Sequence, residues 1–148
     1  MHPTAARLQQ RLADDGVRID VVTLTDSART AAQAAAALGC EVGQIVKSLV
    51  FMRDGKPLMV LCAGDRRVAS DRLGLAPANA DQARAATGFT IGGIPPLGHP
   101  RSLPTLIDDS LRRFGTVWAA AGTPHDVFEV DTEALIAAIP GAEVTAVS

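Results

Sequence analysis

Tyrosine is missing from the 148-residue chain, and other aromatics are few: four Phe and one Trp. The core must therefore be built from Ala, Val, Leu and Ile. Lysine is almost as rare, since only Lys47 and Lys56 stand among the 14 basic residues, the rest being Arg. The formal net charge of −2 leaves no global basic field of the kind that announces a nucleic-acid partner. No apolar run approaches the ~20 residues of a membrane helix, and no N-terminal segment has the layout of a secretion signal. These absences predict a soluble cytoplasmic protein with no membrane partner. The two cysteines, Cys40 and Cys62, lack metal-like spacing and are expected as reduced, buried thiols. There is no Gly-x-Ser-x-Gly elbow, no P-loop, no dinucleotide fingerprint and no His/Cys/carboxylate cluster, so neither metal nor cofactor is expected. Ser48, Ser70 and Ser110 have no histidine near them in sequence.

What is present suits one domain over residues 1–148, with 47% hydrophobic and 20% charged residues. Leu8 and Leu12 predict a helix over Thr4–Ala13, and Val17–Leu24 reads as a strand. Thr30-Ala31-Ala32-Gln33 opens an alanine-rich helix that Gly39 closes. Ile45–Met52 and Leu58–Ala63 are strands joined by a hairpin at Asp54-Gly55. Ser70 and Asn79 are expected to cap two short helices. Leu103–Ile107, Thr116–Ala121 and Val127–Val130 read as strands, with Asp108 capping a turn between the first two. Asp131 caps a helix over Thr132–Ile139, and Val144–Val147 suits an edge strand. Strands and helices in this irregular order predict an α/β (α+β) layer rather than a doubly wound sheet.

Two segments point to chemistry. Gly92-Gly93-Ile94-Pro95-Pro96-Leu97-Gly98-His99 holds three glycines and two prolines, which can neither continue a helix nor sit inside a central strand. Such a segment is stiff and turned. It is either a surface turn or a place where bare backbone amides meet a ligand. Lys47 lies in Ile45-Val46-Lys47-Ser48-Leu49-Val50-Phe51-Met52, an otherwise apolar strand. Its ammonium either snorkels to water or stands at the mouth of a cleft facing a phosphate or carboxylate. His125 lies in a second Gly/Pro turn, Gly122-Thr123-Pro124-His125, and matters only if the two turns meet in space.

Taken together, these segments resemble one family. Gln44–Phe51 resembles the lysine-bearing strand of the YbaK/ProX-type aminoacyl-tRNA deacylases, relatives of the editing domain inserted in bacterial prolyl-tRNA synthetases. The Ser70-Asp71-Arg72-Leu73 helix start, Thr87–Gly98, Leu103–Asp108 and Val117–Gly122 fit the same pattern, so the resemblance runs from about Thr4 to Val147. It implies a compact, strongly curled mixed sheet with helices around it and one cleft. It also implies hydrolysis of the ester joining a wrong amino acid to the 3′ end of a tRNA, typically that for proline. By resemblance, Lys47 contacts the terminal nucleotide or its phosphate. Gly92, Gly93 and Ile94 present the catalytic backbone, and Pro95 and Pro96 hold the aminoacyl group. Gly122 and His125 sit on a pocket wall, with Ser48 and Asp108 as further substrate contacts.

Arg72, Arg101, Arg112 and Arg113 are expected to help capture tRNA, with modest affinity and a shallow salt dependence. Prolyl-tRNA synthetase or an elongation factor would then assist delivery. Members acting on cysteinyl-tRNA often carry a tyrosine near the end of the first strand. Here the matching residues are Val22-Thr23-Leu24. That leaves alanine, 2-aminobutyrate, serine and threonine open beside cysteine. A non-catalytic module binding tRNA or a synthetase would use the same cleft, and turnover separates the two readings.

Overall fold

The computed structural model describes residues 1–25, 28 and 30–148. Helix α1 (Pro3–Asp14) is capped by the His2 ring, which accepts from the Thr4 N–H at 3.0 Å. Pro3 stands in the first turn, where its missing N–H costs nothing. Ala5, Leu8 and Leu12 form the buried face of α1. The β-branched stretch that follows yields only a short strand, β1 (Val21–Thr23), within the predicted Val17–Leu24. Helix α2 (Ala31–Leu38) is capped by the Thr30 hydroxyl and closed by Gly39 at φ 68°, as predicted.

Strands β2 (Val46–Arg53) and β3 (Lys56–Ala63) form an antiparallel hairpin. Its turn residues Asp54 and Gly55 have φ 52° and 74°, the double positive φ that matches a two-residue turn to strand twist. Then come α3 (Ser70–Leu73), the short β4 (Ala76–Pro77) and α4 (Ala80–Thr87). Asn79 and Gln82 cap α4 reciprocally at 2.8 and 3.0 Å. Ser70 does not cap α3 but lies inside it, after Ala69. Strands β5 (Thr105–Asp108), β6 (Thr116–Thr123) and β7 (Asp126–Asp131) follow, then α5 (Thr132–Ala138), capped by Asp131, and β8 (Glu143–Thr145).

The fold is the expected α+β arrangement of curled, mixed β-structure with helices around it. Its strands divide between two sheets, β1-β7-β6 and β4-β2-β3-β5-β8. The first is antiparallel; the second is mixed, with β5 parallel to both β3 and β8. Ile45 and Trp118 form a parallel bridge between them. The main core lies in this angle: Val46, Val50, Met59 and Leu61 meet Val117, Ala119, Ala121 and Phe128, and α1 adds Leu8 and Leu12. Met59 through Ala63 are all 0% exposed, so β3 reads as an unbroken apolar run instead of an alternating one. Among the described residues no helix is long and apolar enough to cross a membrane.

Asp108 departs from both roles expected of it. It stands at the N-cap position of the turn over Asp109–Arg113 but makes no cap hydrogen bond to its backbone, and its carboxylate is fully buried. It accepts from the Val147 N–H at 2.9 Å, the Ser148 N–H at 3.1 Å, the Ser148 hydroxyl at 3.0 Å, and the Ser110 hydroxyl. Four donors saturate its lone pairs and tether the C-terminal residues to the end of β5. Burial opposes the charged form, but the Ser110, Val147 and Ser148 donors outweigh it and hold the carboxyl below its ordinary value. Because the folded value is depressed, this stabilisation is complete above the unfolded carboxyl range near pH 4 and is lost as pH falls through the folded value. Asp108→Asn should cost about 3 kcal/mol at neutral pH and flatten the acid limb of stability against pH. Urea melts between pH 7 and 3 check both, and an unchanged acid slope in the variant would contradict the tether.

Candidate active site

A cleft of about 320 Å³ opens where the two sheets meet. Strand β2 contributes Val46, Lys47, Ser48 and Leu49, and β6 contributes Trp118, Ala119 and Ala120. Ala31 and Ala34 of α2, with Ala28 and Thr30 before it, line the cleft, as do Ile91, Gly92 and Ile94 of the Gly/Pro segment. The alanines make the space: larger side chains at these positions would fill it. Sequence reasoning put neither Trp118 nor the α2 alanines in the site. Their one signal was composition, an alanine-rich helix and the chain's lone tryptophan.

Lys47 pairs across the hairpin with Cys62, and its Nζ donates to the Arg66 carbonyl in the loop after β3. Among the described residues it has no ion pair, so its charge is available to a ligand. Cys62 is no nucleophile. Burial pushes its thiol up to about 11, against the pull of the Lys47 charge. Cys40, expected buried, is half-buried, and its thiol is likewise raised, mainly by desolvation. The Ser48 hydroxyl is buried and has no hydrogen-bond partner among the described residues. A buried orphan hydroxyl is costly, and in a cleft it marks a position where a ligand atom completes the bond.

The Gly/Pro segment is seated by backbone contact. A Cβ on Gly93 would stand 2.7 Å from the Thr123 Cα and 2.9 Å from the Gly122 oxygen, so only glycine lets this loop lie on the end of β6. Gly92 has φ 97°, in the left-handed region. The Gly93 N–H is taken up by the Thr90 carbonyl at 3.1 Å. Those of Gly92 and Ile94 meet no acceptor among the described residues, and both residues line the cleft. Pro95 and Pro96 are buried behind the loop. The Pro95 carbonyl meets His99 Nε2 at 2.7 Å, and Pro96 lines a separate concavity of about 520 Å³ together with Arg101. They brace the segment and do not line the cleft. His99 is held below its ordinary value chiefly by burial; the Pro95 carbonyl works the other way and the Arg11 charge adds to the lowering.

Gly122 and His125 lie in an adjoining depression of about 560 Å³, which shares Thr123 and Pro124 with the cleft. The two Gly/Pro turns do meet in space: a Cβ on Gly92 would stand 3.8 Å from the Pro124 Cγ. The four expected tRNA-capturing arginines are not gathered there. Arg112 forms a two-pronged pair with Glu133, both contacts 3.1 Å. Arg113 pairs with Asp65 at 2.7 and 2.9 Å and stacks on Phe114. Arg72 donates to the carbonyls of Ala146 and Ser148 at 3.0 and 3.4 Å. Among the described residues no group of His, Cys, Asp and Glu is assembled for a metal ion.

Residues 25–138 match the model of the aminoacyl-tRNA editing domain. The chain belongs to this family. A solved structure described as "a putative trans-editing enzyme for prolyl tRNA synthetase" superposes on this editing domain with a TM-score of 0.91 and 41% identity, over 100% of this chain and 98% of that one. The Enterococcus faecalis protein named "Putative Cys-tRNA(Pro)/Cys-tRNA(Cys) deacylase EbsC" is 26% identical over 126 residues, 78% of this chain and 77% of its own length. A proline–tRNA ligase of Acidithiobacillus ferrooxidans is 33% identical over 113 residues, which span 72% of this chain but only 19% of the ligase. That similarity is to one segment of a much longer enzyme.

In this editing domain, two substitutions separate packing from ligand contact. Gly93→Ala forces a Cβ into β6 backbone and should cost about 2 kcal/mol in urea denaturation. Ser48→Ala removes an unsatisfied hydroxyl and should leave stability equal or higher by about 1 kcal/mol. A loss of that size for Ser48→Ala would show that the hydroxyl is partnered within the protein.

Proposed function

We propose that this editing domain is a trans-editing deacylase, hydrolysing the ester between a small wrong amino acid and the 3′ end of a tRNA, with tRNA for proline as the first substrate. One observation carries the reading. A single cleft is lined by Lys47, by Ser48 with its orphan hydroxyl, and by Gly92 and Ile94, whose N–H groups meet no acceptor among the described residues. The relatives' names support the same reaction class and the same tRNA.

The chemistry follows from these donors. An aminoacyl ester is already activated, so no strong side-chain nucleophile is required. The Gly92 and Ile94 N–H groups face the developing oxyanion, and one such donor is worth about 3 kcal/mol of barrier. The neighbouring ribose hydroxyl of the substrate relays a proton, accepting one from the attacking water as it hands its own to the departing ester oxygen. Water oxygen bonds to the carbonyl carbon, and the ester C–O bond breaks to leave free amino acid and a tRNA hydroxyl. Lys47 holds the terminal nucleotide or its phosphate, and Ser48 completes its hydrogen bond on the substrate. Selectivity comes from the alanine-lined space, which admits small side chains and rejects larger ones by clash, since one methylene of contact is worth only ~1–3 kcal/mol. Alanine, 2-aminobutyrate, serine, threonine and cysteine fit this rule. The Thr23 hydroxyl, near the position where cysteine-specific members carry tyrosine, is taken up by Asp126 at 2.7 Å.

The test is deacylation of tRNA for proline charged with alanine, 2-aminobutyrate, cysteine, serine, threonine or proline, at substoichiometric protein. Multiple turnover on one small-side-chain ester, with prolyl-tRNA spared, is expected. Lys47→Ala should lower the rate about 100-fold or more, and Ser48→Ala should lower it while keeping the fold. Full activity in Lys47→Ala would overturn the assignment of Lys47. Binding without turnover would leave a non-catalytic module.

A further inference from the structure

The loop that follows β3 joins the cleft to the outer surface. Gly64 is locked against the cleft wall: its N–H donates to the Ile45 carbonyl at 2.8 Å, and a Cβ there would meet the Val42 oxygen at 2.4 Å and the Ala31 Cβ at 2.8 Å. The Arg66 N–H donates to the Ala63 carbonyl at 2.9 Å, and the Arg66 carbonyl receives Lys47 Nζ. The backbone of this loop is therefore fixed from both sides, and two consecutive arginines, Arg66 and Arg67, leave it into solvent.

The charges around it are sorted. Asp65 is the nearest acid in sequence, and Arg113 claims both of its carboxylate oxygens. Arg66 reaches Asp65 only at 4.0 Å, with 48% of its side chain exposed. Arg67 has no ion pair or hydrogen bond among the described residues. Arg72, Arg112 and Arg113 are engaged within the protein, as described above. Exposed guanidinium groups carried on a fixed backbone beside Lys47 suit phosphates, which Arg meets in a two-pronged geometry.

We propose that Arg66 and Arg67 form the contact for the phosphodiester backbone of the RNA acceptor end, leading the 3′ terminus past Lys47 into the cleft. The inference rests on the deacylase reading for its direction, since the terminal nucleotide would lie at Lys47 and the preceding phosphates would run out along this loop. It replaces Arg72, Arg112 and Arg113 as the capture surface. Two contacts also agree with weak, shallowly salt-dependent binding.

The experiment is equilibrium binding of an uncharged acceptor-stem minihelix ending in CCA, by fluorescence anisotropy across a salt series. The Arg66→Gln/Arg67→Gln double variant keeps the Arg66 carbonyl that holds Lys47, and circular dichroism confirms its fold. It should bind about 10-fold more weakly. Its log–log salt slope should fall by about 1.4, the loss of two single-strand phosphate contacts. Arg84→Gln, exposed on α4, should leave affinity and slope as in the parent. Wild-type affinity and slope in the double variant would overturn the proposal, as would failure of the parent protein to bind the minihelix. Because no hydrolysis is involved, RNA binding through this loop by a protein that deacylates nothing would uphold it while sinking the deacylase reading.

Discussion

The bridge between Ile45 and Trp118 is the constraint on which the site depends. Beyond it the two sheets diverge, and the polar and small residues near the start of β2 face the open angle instead of a packed partner. Deeper in the same angle, Val46, Val50 and Phe128 close the core. A continuous sheet would have paired the edge of β2 along its length and left no room for a ligand. The cleft is thus the unfilled end of the core. Its shape is held by the tightly packed residues below it, which transmit strain instead of absorbing it.

The second constraint is backbone accounting. Most buried N–H groups in a folded chain are paired, and along the Gly/Pro segment the pairing is selective. Gly93 is held down by Thr90 and by β6, while the N–H groups of its neighbours Gly92 and Ile94 meet no acceptor among the described residues. Ser48 adds an unpaired hydroxyl. A loop with ordinary side chains could not approach β6 this closely, so the free donors are a consequence of glycine at that position. Pro95 and Pro96 then prevent the segment from relaxing, because their φ is fixed and they have no N–H to give.

Electrostatics runs in the opposite direction from composition. A chain with 12 Arg has ample positive charge, yet Arg72, Arg112 and Arg113 serve the C-terminus, α5 and Asp65. Asp108 and Asp126 are likewise buried acids, held charged chiefly by hydroxyl and backbone donors, with the N-terminal charge adding a smaller pull on Asp126. Desolvation works against each, and for Asp126 the Thr123 and Thr23 hydroxyls tip the balance to a lowered value. Beside the cleft, the cations without such engagement are Lys47 and the exposed arginines of the adjoining loop.

Much of this was legible in the residues. Thr30, Asn79 and Asp131 capped their helices as expected, and Asp54-Gly55 made its hairpin, because these are local interactions between neighbours in sequence. Lys47 in an apolar strand and the Gly/Pro segment stood out in the sequence, and residues of both line the one candidate cleft. The α+β class and the family followed from the same segments. Tertiary structure alone decided the rest. It placed Asp108 on the C-terminal tether, 39 residues from Val147 in sequence, and chose which arginines are paired and which are free. It brought α2 and Trp118 over the cleft and divided the strands between two sheets. It also determined that, of the N–H groups of Gly92, Gly93 and Ile94, the one on Gly93 is taken up by Thr90. All but the last of those outcomes depend on partners far away in the chain, and no local pattern encodes which distant group will arrive first.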